Sequence, residues 1–157
     1  NDRRLARIVK KCLDLPGYEL FQYIDEDGSL HTVDSSDVNE YLRTITEQPF
    51  TAKDFRTWAG TVLACLALRE CDACETQTQA KKNVVEAIKK VAEQLGNTPA
   101  VCRKCYVHPT VLETYMTGEL VKTLEAAEKK MRVNQHSLRE EEMQLMFLLE
   151  GRLKVAA

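Results

Sequence analysis

Tyr106 ends the segment Leu95-Gly96-Asn97-Thr98-Pro99-Ala100-Val101-Cys102-Arg103-Lys104-Cys105-Tyr106, close behind two cations. A phenol is a poor nucleophile at neutral pH, because its reference pKa is about 10. It becomes useful when cations hold the electrophile and stabilise charge as it develops, an arrangement suited to attack on a phosphodiester. Arg103 and Lys104 supply such charge beside Tyr106. The plainer alternative is a partly buried amphipathic tyrosine on a basic helix.

Two elements must position this phenol. Val84, Val85, Ile88, Val91, Ala92 and Leu95 recur at helical spacing, which predicts an amphipathic helix ending at Leu95. Gly96 and Asn97 suit its left-handed exit. Thr98 has the chemistry of an N-cap and Pro99 that of the first residue of a new helix. The other element is Phe50-Thr51-Ala52-Lys53-Asp54-Phe55-Arg56-Thr57-Trp58-Ala59-Gly60-Thr61. Thr51 with Asp54 has the form of a capping box, Asp replacing the usual Glu or Gln. The helix it opens is expected to turn Phe55, Trp58, Val62, Leu63 and Leu66 inward. Arg56 lies about 100° around the axis from Phe55, at the edge of that stripe, where it can reach a cleft.

Lys53-Asp54-Phe55-Arg56-Thr57 and Leu95-Gly96-Asn97-Thr98-Pro99, followed by Tyr106, resemble the catalytic half of type IB DNA topoisomerases of the compact viral and bacterial branch. The order of Arg, a Gly-X-Thr turn, and Tyr nine residues after X is shared with the tyrosine recombinases. The resemblance extends over most of residues 1–120. It implies a mainly α fold with a small β-hairpin, the helical catalytic domain of this superfamily. It implies that Tyr106 attacks a backbone phosphate, leaving a 3′-phosphotyrosyl link and a free 5′-hydroxyl. Rotation then relaxes supercoils and the hydroxyl reseals the strand. Because the ester keeps the bond energy, no ATP, metal or other cofactor is implied.

Arg56 is the implied stabiliser of the transferring phosphoryl group, since a guanidinium fork matches two nonbridging oxygens. A surface salt bridge with Asp54 or another carboxylate is the alternative. Most of the family carry His where Asn97 stands. An Asn amide can donate one hydrogen bond to a nonbridging oxygen, but it stays neutral and cannot serve as a general acid. Asn97 can also be read simply as a residue tolerant of left-handed backbone. Lys53, Arg103 and Lys104 are candidate contacts to DNA phosphates or else solvated cations. Recombinases usually place His where Lys53 stands, so Lys53 points to the topoisomerase branch. The implied partner is double-stranded DNA, bound by a monomer away from membranes. A site-specific tyrosine recombinase and a non-catalytic helical DNA-binding or interaction module are the other readings.

The chain of 157 residues fits a single domain, with a catalytic core over 1–118 and C-terminal helices over 119–157. Lys and Arg number 22 against 24 Asp and Glu, a net charge of −2, so there is no overall basic footprint. Local clusters remain: Arg3, Arg4, Arg7, Lys10 and Lys11, then Lys81, Lys82, Lys89 and Lys90. The longest apolar run, Val62 to Leu68, is too short to span a bilayer. Six cysteines without a secretory segment imply a reducing compartment and free thiols; the resemblance implies a cytoplasmic setting at the nucleoid. Cys71-X2-Cys74 and Cys102-X2-Cys105 have the outline of a four-thiolate zinc site. Their separation exceeds the usual spacing of about 15–20 residues, and the second pair falls on the helix beside Tyr106. Free thiols and no metal are therefore expected. His31, His108 and His136 show no pairing that would activate a cysteine nucleophile.

The remaining pattern is a basic helix over 3–13 with Leu5, Ile8, Val9 and Cys12 as its stripe, broken by Pro16-Gly17. Leu20–Ile24 and Leu30–Val33 read as a hairpin about Asp25-Glu26-Asp27-Gly28. Ser35 or Ser36 can cap a helix through Val38, Tyr41, Leu42 and Ile45. A polar loop is expected from Cys71 to Gln79. His108-Pro109-Thr110 should start a short helix ended by Gly118. Helical segments near 119–131 and 137–153 follow, the latter with Leu138, Leu145, Leu149 and Leu153 on one side.

The family pattern also expects an earlier Arg, and a Lys on a hairpin as general acid for the departing 5′-hydroxyl, both upstream of the 3–13 helix. Lys10 and Lys11 stand in the wrong context to replace that Lys. The chain opens on Asn1 directly into a helical pattern, as a piece of a longer protein would. The isolated 157-residue chain is thus expected to show little or no strand cleavage. A plasmid-relaxation assay checks this, and efficient relaxation would refute it.

Overall fold

The computed structural model describes residues 2–71, 74, 76–130 and 138–156. These residues form eight helices and one two-stranded antiparallel hairpin, the mainly α class that the resemblance implied. They divide into two compact units, one ending at Ala52 and the other starting at Lys53.

In the first unit, helix α1 (Arg3–Leu13) starts at Asp2, whose carboxylate accepts from the N–H groups of Arg4 and Leu5 at 2.7 and 3.2 Å. Lys10 and Lys11 occupy its last turn, where cations complement the helix dipole. Strand β1 (Gln22–Ile24) pairs with β2 (Leu30–Thr32), placing Tyr23 opposite His31. Their rings stack with centroids 5.3 Å apart. Gly28 supplies the positive φ, 87°, that the hairpin turn requires.

Helix α2 (Ser35–Thr46) corrects one expectation. Its cap is Asp34, not Ser35 or Ser36. The Asp34 carboxylate accepts from the N–H groups of Ser36 and Asp37, while Asp37 accepts from the Asp34 N–H at 2.8 Å. This reciprocal box also puts negative charge at the helix N-terminus, which a serine hydroxyl cannot supply. Neither α1 nor α2 buries any residue.

The second unit holds the apolar core. Helices α3 (Ala52–Arg69), α4 (Gln77–Leu95), α5 (Pro99–Cys105), α6 (Pro109–Met116), α7 (Leu120–Lys130) and α8 (Glu140–Ala156) follow in order. Leu68, Val91, Cys102, Val111, Leu120, Leu145 and Leu148 are its most buried side chains of substance. On α3 the buried face is Gly60, Thr61, Val62, Ala64, Cys65 and Leu68, so mostly small residues define it. Trp58, Leu63 and Leu66 are half-buried against the core, but Phe55 is 54% exposed, contrary to its expected inward position. The reason is rotational: close packing on small residues turns the helix away from the face that its largest apolar residues would choose. On α4, Ala80, Val84, Ala87, Ile88, Val91 and Ala92 are buried at helical spacing, and Val85, one position off that stripe, is 46% exposed.

The expected polar loop ends earlier than Gln79, because Thr76 caps α4 by accepting from the Gln79 N–H. Helix α6 runs as expected, from the His108 cap to Gly118 with φ 75°. On α8 Leu145 is buried and Leu149 packs against the core, as expected. Residue 137 and the Leu153 side chain lie outside the described residues. None of the described helices is long and apolar enough to cross a membrane.

Helix α8 is anchored to α3 by polar contacts. Trp58 donates from Nε1 to Glu142 at 3.1 Å, and Arg69 donates to Gln144 at 2.9 Å. The Arg139 backbone N–H and guanidinium, together with the Trp58 indole, hold the Glu142 carboxyl at about 2, below its ordinary 4.5. A carboxylate bonded this way stabilises the fold fully above about pH 4.5, and the contribution disappears as pH falls toward about 2. Glu142→Ala should therefore cost about 1–3 kcal/mol at pH 7. It should also flatten the acid limb of stability below pH 4.5. Urea unfolding followed by emission of Trp58, the chain's single tryptophan, measures both.

Candidate active site

Helix α4 ends in the left-handed turn that its sequence demands. Gly96 has φ 64°, and its N–H turns back to the carbonyls of Ala92 and Glu93. The Asn97 N–H also returns to the Ala92 carbonyl, at 2.9 Å. These bonds satisfy helix-end carbonyls that lack intrahelical partners. The Leu95 carbonyl takes side-chain donors instead. Arg56, from α3, donates to it through Nη2 at 2.8 Å, and Asn97 donates through Nδ2 at 3.0 Å.

Thr98 then caps α5 by accepting from the Val101 N–H, with Pro99 inside its first turn. This seven-residue helix ends at Tyr106, its C-cap, whose N–H reaches the Cys102 carbonyl. Tyr106 is half-buried, and Arg56 Cζ lies 5.0 Å from the centroid of its ring. A guanidinium over a tyrosine face is attracted by the ring quadrupole. Of the three side chains singled out from sequence, Arg56 and Asn97 meet at the Leu95 carbonyl, and Arg56 also lies over the Tyr106 ring.

Lys53 is exposed on α3, one turn before Arg56, and Arg103 and Lys104 are exposed in the last turn of α5. Arg103 and Lys104 border a groove of about 270 Å³ completed by Val107, Pro109, Leu112 and Glu113. A larger cavity of about 530 Å³, bordered by Arg69, Cys71, Cys74, Tyr115 and Leu120, contains none of the candidate residues.

The cysteines are dispersed. Cys102 is fully buried, and burial raises its thiol pKa. Burial likewise pushes the Cys65 thiol up to about 11. Cys71 bonds to the Ala67 carbonyl, whereas Cys74 lies 3.2 Å from the Tyr115 hydroxyl, to which Asn83 also donates at 2.8 Å. Burial is the main cause that raises the Tyr115 pKa. None of the six cysteines is in a disulfide, and among the described residues no group of three or more His, Cys, Asp and Glu side chains is placed to hold a metal ion.

Sequence reasoning missed the Leu95 carbonyl as the hub, and no side-chain signal could have found it, since every residue carries that group. It also missed Thr57, Gly60 and Thr61, which contact the Tyr106 segment. A glycine inside a long helical pattern was the available sign of a close backbone approach.

The family described as the catalytic core of eukaryotic DNA topoisomerase I matches residues 1–137. DNA topoisomerase 1B of Acanthamoeba polyphaga mimivirus is 37% identical over 117 residues, covering 70% of this chain and 35% of that protein. The chain thus spans about a third of the length of that relative. Matched through most of its length, with a viral relative above 30% identity, this chain belongs to the type IB DNA topoisomerase family, in its compact viral branch.

Proposed function

We propose that this chain supplies the nucleophile-bearing part of a type IB topoisomerase that relaxes supercoiled double-stranded DNA, acting as a monomer on one duplex. Tyr106 Oη bonds to a backbone phosphorus and its proton passes to water. The bond from phosphorus to the 5′ oxygen breaks, leaving a 3′-phosphotyrosyl ester. The departing oxygen takes a proton from the Lys that the family pattern places upstream of this segment. After rotation the same steps run in reverse. The ester preserves the energy of the original bond, so the exchange needs neither ATP nor metal.

The observation that carries this reading is the pairing of Arg56 with the Tyr106 ring at 5.0 Å while both Arg56 and Asn97 hold the Leu95 carbonyl. Arg56 spends one of its five N–H donors on Leu95 and keeps the others for nonbridging phosphoryl oxygens. Asn97 spends one amide hydrogen on Leu95 and keeps the second for the same purpose. Lys53, Arg103 and Lys104 would contact flanking phosphates. The family match does not favour the recombinase or the non-catalytic module.

In the native protein carrying this sequence, a suicide DNA substrate should trap an adduct that maps to Tyr106. Tyr106→Phe should abolish it, and Arg56→Ala should slow its formation on the order of 10²–10³-fold, the usual cost of a lost transition-state donor. An adduct that survives in Tyr106→Phe would overturn the proposal.

Asn97 has no titrating group, so this position should impose no pH dependence between pH 5 and 8. Asn97→His should keep cleavage activity and introduce a rate that rises as pH falls through about 6.5, because only the imidazolium adds positive charge beside the phosphate. Single-turnover cleavage rates against pH test this. Identical profiles in both proteins would remove Asn97 from the phosphate's surroundings.

A further inference from the structure

We infer that the face of α3 formed by Thr57, Gly60 and Thr61 is a positioning clamp that sets where the Tyr106 hydroxyl stands. The inference deepens the proposed function and rests on Tyr106 being the nucleophile.

Helix α5 is short and ends at Tyr106, so its last carbonyls have no partners within the helix. Helix α3 satisfies part of that need from outside. The Thr57 hydroxyl lies 3.3 Å from the Cys105 carbonyl, sharing its hydrogen with the Lys53 carbonyl at 2.9 Å. The Thr61 hydroxyl donates to the Thr57 carbonyl at 2.7 Å and accepts from the His108 N–H at 3.1 Å. The Tyr106 carbonyl is also near it, at 3.5 Å. Hydroxyls one turn apart on α3 thus hold the backbone on both sides of Tyr106.

Gly60 lies between them, buried on the same face. A Cβ at Gly60 would stand 2.5 Å from the Tyr106 carbonyl oxygen and 3.2 Å from Tyr106 Cβ. The nearest obstacle is backbone, which cannot swing aside as a side chain can. Glycine in a helix interior costs about 1 kcal/mol relative to alanine. Gly60 has a negative φ, so no left-handed backbone requires it. Its remaining function is contact: it lets the α3 backbone reach the Tyr106 backbone. Arg56 leaves the same helix one turn earlier, so α3 fixes the guanidinium and the nucleophile's backbone together.

Such a clamp acts on the chemical step and not on DNA affinity. Gly60→Ala must move the Tyr106 carbonyl from 2.5 Å out to the 3.4 Å where ordinary contact begins, a shift of nearly 1 Å. Misplacement by about 1 Å can cost on the order of 10²-fold in rate. In the native protein, single-turnover cleavage by Gly60→Ala should therefore fall by about 10–10²-fold with DNA affinity unchanged. Thr61→Val, which keeps the shape but loses the acceptor for the His108 N–H, should slow cleavage and religation alike, and Thr61→Ser should restore both. A purely structural role would lower the folded fraction in urea without this split between rate and affinity. If Gly60→Ala does not fold, the Thr61→Val and Thr61→Ser pair decides. Wild-type cleavage rates in folded Gly60→Ala, or equal rates in the two Thr61 variants, would sink the clamp. Tyr106→Phe serves as the control: an adduct that persists there refutes the nucleophile itself, whereas its loss beside normal Gly60 and Thr61 variants refutes only the clamp.

Discussion

The Leu95 carbonyl is where the elements around Tyr106 are joined. A helix that ends in a left-handed glycine folds its last N–H groups back onto carbonyls a turn earlier, here those of Ala92 and Glu93. The Leu95 carbonyl is taken by Arg56 from α3 and Asn97 from the turn. One neutral acceptor thus holds α3, the end of α4 and the start of α5 in a fixed relation. Its neutrality matters as much as its position. A carboxylate in its place would neutralise Arg56 and compete with any incoming phosphate. A carbonyl and a tyrosine ring orient the guanidinium through dipole and quadrupole alone, and leave its unit charge available.

Helix α3 carries an unusual concentration of duties within two turns. Arg56 faces the tyrosine, Thr57 and Thr61 meet the backbone beside it, Gly60 permits the approach, and Trp58 faces elsewhere. The indole of Trp58 is bonded to Glu142 at the start of α8, and Arg69 at the far end of α3 is bonded to Gln144. Helix α8 is thus bonded to α3 near both ends of that helix. A rotation of α3 about its axis would carry Arg56 off the ring and would break both its bonds to α8 and its small-residue contacts near Tyr106.

The turn at residues 96–99 was readable because each of its residues has a local reason. Glycine tolerates positive φ, threonine caps, and proline has no N–H to leave unpaired. The hairpin and the helix order were readable for similar local reasons. Rotation of helices about their axes was not. Phe55 belongs to an apolar stripe by spacing yet is exposed, because the buried face of α3 is set mostly by alanine, glycine, threonine and cysteine, which permit close approach; Val85 is exposed because it lies one position off the buried stripe of α4. Asp34 displaced Ser35 and Ser36 as a cap because a carboxylate can accept two N–H groups while Asp37 answers it. Of the candidate site, Arg56, Asn97 and Tyr106 were proposed from type and order alone. The carbonyl that joins Arg56 and Asn97 was not, because a backbone group carries no sequence mark.

Position along a helix adds a further constraint. Anions are usually bound at helix N-termini, where the partial charge is positive. Tyr106 stands at the opposite pole, the C-cap of α5, where the last carbonyls carry partial negative charge. A phosphate brought there is disfavoured unless cations overcome that field. Arg103 and Lys104 in the last turn of α5 offset it, and Arg56 adds a third charge from α3. The shortness of α5 helps as well, since seven residues build little dipole, and the N-terminus of α6 begins just beyond, at Pro109. A chain of net charge −2 thus gathers three cations about one short helix end, with Glu113 as the carboxylate bordering the same groove, while carboxylates farther off are screened beyond about 10 Å at ordinary salt.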